Sequence, residues 1–158
     1  MTAIKHEQMT PKELADWLTQ EHEMVDALAA TLSERVALVP RANEQAWIDG
    51  VRKAFEHFRA HMTKHIALEE HGGYMEPVLD QRAALAPQVA RLKHEHKEIV
   101  TLMNATNTLL EDLQPHDYLI MRDICHRVQD ILRYVDHHRQ TENMLLLSAF
   151  TDEIGTKD

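Results

Sequence analysis

His65 to Glu69 and His138 to Glu142 share the pattern His-x-x-x-Glu, and each is preceded, 43 and 42 residues upstream, by a further histidine, His22 and His96. A histidine and a glutamate four residues apart project from the same face of a helix. The imidazole can then offer a nitrogen to one metal ion while the carboxylate reaches across to a second, and two such carboxylates can bridge a pair of ions. The ligand set His22, His65, Glu69, His96, His138 and Glu142 contains no thiolate. It suits iron, manganese or zinc; copper(I) favours sulfur, and calcium or magnesium favours oxygen alone. A structural zinc is usually satisfied by four ligands, so six converging ligands imply a two-metal centre. Di-iron bundles of the ferritin type depend on Glu-x-x-His, and that spacing occurs nowhere in the chain.

These side chains converge only if helices bring them together. Thr10-Pro11-Lys12-Glu13 predicts a helix start, with Thr10 as cap, Pro11 at the first helical position and Glu13 completing a capping box. This helix is expected to reach about Val39, where Pro40 ends it. Asn43 is the expected cap of a second helix running through Trp47, Phe55 and Phe58 to Gly72-Gly73, where two glycines permit a reversal. A short irregular or helical connector, Tyr74 to Ala86, follows. Pro87 opens a third helix that reaches Leu113, and Gln114-Pro115 separates it from a fourth that continues to about Phe150. Four helices of about 40 to 50 Å, joined mostly by short loops, pack most simply as an all-α, up-down-up-down four-helix bundle. The expected division is an N-terminal arm over 1–9, the bundle over 10–150 and a polar tail over 151–158.

Each predicted helix carries an apolar stripe at three- and four-residue spacing. Leu14, Leu18, His22, Val25, Ala29 and Leu32 form the first, and Val51, Phe55, Phe58, Met62, His65 and Glu69 the second. The third includes Val89, Leu92, His96, Ile99 and Met103; the fourth includes Ile131, Val135, His138, Glu142 and Leu145. A lone histidine on such a face is ordinarily a hydrogen-bonded core residue. Four of them, each within about one helical turn of a common layer when counted from the predicted turns, are a different matter. An unsatisfied buried polar group costs about 1 to 3 kcal/mol, so six in one core demand a common partner.

Composition narrows the function classes. The formal net charge of -9 and the lack of any Lys/Arg run argue against nucleic acid and anionic membrane as partners. No apolar stretch approaches the ~18 residues of a membrane helix. Cys125, the single cysteine, cannot form an internal disulfide, and MTAIKHEQMT lacks the basic flank and apolar stretch of a secretion signal, so a cytoplasmic location is expected.

Over about Thr10 to Phe150 the chain resembles the hemerythrin-like, or HHE cation-binding, family. The resemblance is carried by Glu21-His22, by His65-x-x-x-Glu69-Glu70 followed by Gly-Gly-Tyr-Met-Glu-Pro, by Glu95-His96 and by His138-x-x-x-Glu142. It implies two non-heme Fe ions with an oxygen-derived or carboxylate bridge, able to react with O2 and in some members with peroxide or nitric oxide. The chain departs from the oxygen-carrying members at Leu92, four residues before His96, where they have a second histidine. His137-x-x-x-x-Glu142 matches the classical His-x4-acid spacing, whereas apolar periodicity favours His138; periodicity is followed here, with His137 the alternative.

Other candidates carry less. His61, one turn before His65, could be a fifth ligand or a proton relay, but is read as a histidine at the rim of the site. Tyr134, one turn before His138, is read as packing, and Cys125 as a small buried hydrophobe. His6, His71, His94, His116 and His126 fall at ends, in connectors or off the stripes. The functional expectation is a di-iron protein that binds or senses O2 or a related small molecule (NO, peroxide), with a protein partner or a homo-oligomer as a possible setting. The rivals are a di-iron enzyme breaking down peroxide or doing other oxidative chemistry, and an interaction bundle stapled by metal. His65→Ala or Glu142→Ala is expected to lower metal content sharply in elemental analysis while His116→Ala leaves it unchanged; unchanged metal in both site variants contradicts the assignment.

Overall fold

The computed structural model describes residues 10–150; the expected arm over 1–9 and tail over 151–158 lie outside the described residues. Four long helices dominate: α1 (Pro11–Arg35), α2 (Glu44–Glu70), α4 (Ala86–Asp112) and α5 (Tyr118–Phe150). A short helix α3 (Met75–Gln81) and a 3-10 turn (Ala83–Leu85) fill the connector between α2 and α4. Among the described residues there is no strand, and no helix is long and apolar enough to cross a membrane.

The helices form a closed ring, α1 against α2, α2 against α4, α4 against α5 and α5 against α1. Polar contacts tie their ends together. At one end the Trp47 indole N–H, on the first turn of α2, donates to the Arg35 carbonyl at 2.9 Å. The Gln129 amide of α5 donates to the Val36 carbonyl at 3.2 Å. Arg52 of α2 donates to the carbonyls of Leu110, Glu111 and Leu113 at 2.7, 3.0 and 3.0 Å, closing the C-terminus of α4 with a guanidinium where the helix dipole favours positive charge. At the other end Arg82, after α3, donates to the Ser148 carbonyl near the end of α5 at 2.8 Å.

The start of α1 is the predicted capping box. The Glu13 N–H donates to Thr10 Oγ1 at 3.2 Å, and the Thr10 N–H donates to Glu13 Oε2 at 2.9 Å. Two boundaries differ from expectation. Helix α1 ends at Arg35 rather than near Val39; Val36 is fully buried, Trp47 takes up the Arg35 carbonyl that a further turn would have bonded, and Gln129 takes up the Val36 carbonyl, whose helical partner would be Pro40 with no N–H. The residue before Pro40 is in addition disfavoured in helical geometry. Asn43 does stand at the N-cap of α2, but in left-handed backbone conformation (φ 54°) and without a side-chain cap hydrogen bond. Its type matters there for tolerating that conformation.

The interior is divided into two apolar bodies. The larger, at the end of the α1–α2 and α4–α5 loops, includes Leu32, Ile48, Phe55, Phe58, Met103 and Val128. The smaller, at the connector end, gathers Leu14, Leu18, Tyr74, Val78, Leu92 and Leu145. Along α1 the passage from one to the other runs Leu18, His22, Val25; along α4 it runs Leu92, His96, Ile99; along α5 it runs Val135, His138, Glu142, Leu145. A buried polar layer therefore lies between two apolar ones.

Candidate metal centre

His22, His65, Glu69, His96, His138 and Glu142 are all buried, none more than 6% exposed. They arrive from all four long helices, because each interrupts the apolar stripe that turns its helix inward. The rings pair: His22 with His65 at a centroid separation of 5.7 Å, and His96 with His138 at 4.7 Å. Two groups have ligand atoms within 4.8 Å of one another, His22–His65–Glu142 and His96–His138–Glu142, and could each hold a metal ion. Glu142 belongs to both. Glu69 also touches both sides: its Oε1 lies 2.6 Å from His65 Nε2 and 3.8 Å from His96 Nε2. A small cavity of about 10 Å³ is lined by all six, by Arg139 and by Val25, Met62, Ile66 and Val135.

Acidic residues stand behind the imidazoles. His65 Nδ1 is 3.3 Å from Glu21 Oε2, and His96 Nδ1 is 3.2 Å from Glu70 Oε1. Glu95 Oε1 approaches His138 Nδ1 at 3.6 Å. With Nδ1–H directed at a carboxylate, the Nε2 lone pair is left for the interior, the arrangement that orients histidine ligands and raises their basicity. In the sequence Glu21, Glu70 and Glu95 stand out only by adjacency to His22, Glu69 and His96, yet each serves a histidine on another helix.

The inward atoms lack ordinary partners. Both nitrogens of His22 and of His138, Nε2 of His96, both oxygens of Glu69 and Oε2 of Glu142 make no hydrogen bond. The close His65–Glu69 approach therefore does not satisfy Glu69 Oε1: nitrogen and oxygen crowd together without hydrogen-bond alignment, as ligands directed at a common ion do. Protonation states agree with that donor set. Burial pushes His22 down to about 4, and burial likewise lowers His65 and, helped by the neighbouring His138, His96. A neutral imidazole is the form that binds metal. Burial alone would lower His138 too, but the carboxylates of Glu142 and Glu95 outweigh it and raise the group. Burial and the charge of Glu142 raise Glu69 well above the carboxylate range, whereas Glu142, despite its own burial, is held low by Glu69 and His138. Two carboxylates in one low-dielectric layer cannot both ionise without positive charge beside them, and a pair of cations would supply it. The donors present thus fit a metal pair.

The remaining candidates fall outside this layer. His137 is exposed and His138 is the residue brought inward. His61 is half-buried, its Nε2 3.4 Å from Glu21, so it stands beside His65 rather than among the inward atoms. Tyr134 is half-buried; burial, then Glu98 and Glu95, raise its pKa. Cys125 is buried in the larger apolar body, where burial pushes its thiol up to about 11 and keeps it protonated. Leu92 is buried one turn from His96 on the connector side. Tyr74, which sequence reasoning passed over as part of a connector, is fully buried with its hydroxyl unpartnered.

A pH dependence of the metal-free protein follows. His22 takes up its proton near 6.5 when unfolded and near 4 when folded, so between these values the unfolded chain binds more protons and stability falls as pH falls. His65 and His96 act in the same direction, and the raised His138 opposes them. Chemical denaturation from pH 7 down to 4 is expected to show a loss of about 3 kcal/mol from His22 alone, and His22→Gln is expected to flatten the profile; equal slopes in both proteins contradict this reading of the buried layer.

The chain matches a family model, the hemerythrin HHE cation binding domain, over residues 13–150. No curated protein and no solved structure matches it. With nearly the whole helical bundle covered by that one match, the chain belongs to the hemerythrin HHE cation-binding domain family.

Proposed function

We propose that this protein holds two non-heme iron ions and uses them to bind or sense O2 or a related small molecule such as NO or peroxide. His22 and His65 hold one ion, His96 and His138 the other, and Glu142 and Glu69 bridge the two. The observation that carries this reading is the sharing of Glu142 between two buried His–His–carboxylate groups in which His22, His96 Nε2, His138 and Glu142 Oε2 have no hydrogen-bond partner. A single structural zinc would need neither the second group nor a shared carboxylate. An iron pair in such a ligand set supplies two adjacent redox-active centres with positions open to a diatomic ligand.

The chain's own residues define what such a ligand meets. Glu21 and Glu70 orient His65 and His96 through their Nδ1 atoms and keep Nε2 directed inward. Val25, Met62, Ile66 and Val135 exclude bulk water from the cavity, which suits a small ligand of low polarity and rejects larger ones. The apolar Leu92 places no further nitrogen on the His96 side, so each ion has two imidazoles rather than an unequal number.

The absence of a third imidazole at the Leu92 position favours a second reading, turnover of peroxide. The two readings separate on one preparation. Iron-loaded, reduced protein is expected to react with O2 or NO at about one molecule per metal pair and to develop near-ultraviolet charge-transfer absorption. Sustained oxygen evolution from peroxide, well above that of free iron, would establish the enzyme instead. A loaded protein inert to all three, yet melting at a lower temperature once chelated, would leave only a structural staple.

A further inference from the structure

Of the eleven residues that line the small cavity in the polar layer, ten are buried, and Arg139 alone reaches the surface, its side chain 22% exposed. Arg139 follows the inward His138 on α5, so its side chain leaves the helix about 100° round from the core face. Its guanidinium donates to Asp26 across the seam on α1 and, at 2.5 Å, to Asp136 one turn back on α5. Those two aspartates line a groove of about 480 Å³ on the outside of the same seam, where Ala29, Ala30 and Ser33 are too small to fill the space. Helices α1 and α5 are also the most loosely joined of the four neighbouring pairs. Arg139 thus stands between groove and cavity, lining the one and held by the walls of the other.

A cavity of about 10 Å³ has room for about one water molecule, so nothing larger enters while every wall stays in place. The buried wall residues belong to a close-packed interior, where displacement loses contacts on every side. Arg139 is different. Ion pairs between partly exposed side chains are weak, and exposed side chains exchange rotamers within nanoseconds. We propose that Arg139 is the gate of the metal centre: by swinging away from Asp26 and Asp136 it opens a route along the α1–α5 seam, through which the ions and then a small uncharged ligand pass from groove to centre. The two aspartates act as latches that set how often the route is open. Such a gate speeds or slows entry and exit together, because it does not act differently on the bound and free forms and so leaves the affinity to the inward donors. The proposal rests on the ligand-binding reading above.

The test follows NO, a small uncharged probe, as it binds the iron-loaded reduced protein in stopped flow and leaves again when a trap for free NO is added. Arg139→Ala is expected to raise the association and dissociation rate constants about tenfold each, with Kd changed by less than about threefold. Asp26→Asn removes one latch and leaves the arginine in place, and is expected to raise both rates by about threefold. Arg127→Ala, which breaks the Arg127–Asp123 ion pair elsewhere on α5, is expected to change neither. In the metal-free protein, uptake of cobalt(II), followed by its absorption, is expected to quicken in Arg139→Ala. NO rates equal to wild type in both Arg139→Ala and Asp26→Asn would overturn the proposal even if cobalt(II) entered faster, since loss of a positive charge would then account for the cation. A rise in dissociation alone would also overturn it, by making Arg139 a group that holds the bound ligand. A wild type that takes up iron yet binds no NO would instead defeat the ligand-binding reading itself.

Discussion

Six ionisable side chains share one layer in the middle of this bundle, and their atoms face one another rather than water or backbone. At about 1 to 3 kcal/mol for each unsatisfied polar group, that layer opposes folding by an amount comparable with the ~5 to 15 kcal/mol that a domain has in total. The rest of the architecture is arranged around this cost. Apolar bodies on both sides of the layer bring the four helices together, and Arg52, Trp47 and Gln129 close their ends with hydrogen bonds. The layer gains its compensation when cations enter. Metal binding and folding are then one thermodynamic process.

Electrostatics within the layer point the same way. Burial disfavours charge on every member, yet the response is uneven: three histidines become weaker bases, one becomes stronger, and the two carboxylates move in opposite directions. The uneven pattern is that of a site short of positive charge, in which Glu69 keeps a proton and His138 holds one more readily. Under the proposed function, two divalent ions would replace both protons with charge at the points where the ligand atoms already converge.

Much of this was legible in the amino-acid order. His22, His65, His96 and His138 stand where leucine or valine would continue a stripe, and periodicity alone separates the inward His138 from the exposed His137. Thr10 and Glu13 spell a cap that the structure forms. The unread parts depend on contacts between helices, which local spacing does not encode. Helix α1 stops at Arg35, a turn before Pro40 forbids it, where Trp47 and Gln129 from other helices take up its last carbonyls. Glu21 lies beside His22 in sequence but serves His65, and Glu70 serves His96, because adjacent helical residues diverge by about 100° and face different neighbours. Tyr74 was hidden for a related reason: Gly72-Gly73 marked a turn, but how tightly that turn packs on Glu69 is a property of the folded backbone.

The most direct measurement is an anaerobic titration of the metal-free protein with ferrous iron, followed by elemental analysis and by thermal melting at each addition. The account predicts saturation at two irons per chain, with the melting temperature rising until the second ion is bound. Saturation at one iron, or a melting temperature indifferent to iron, would contradict it.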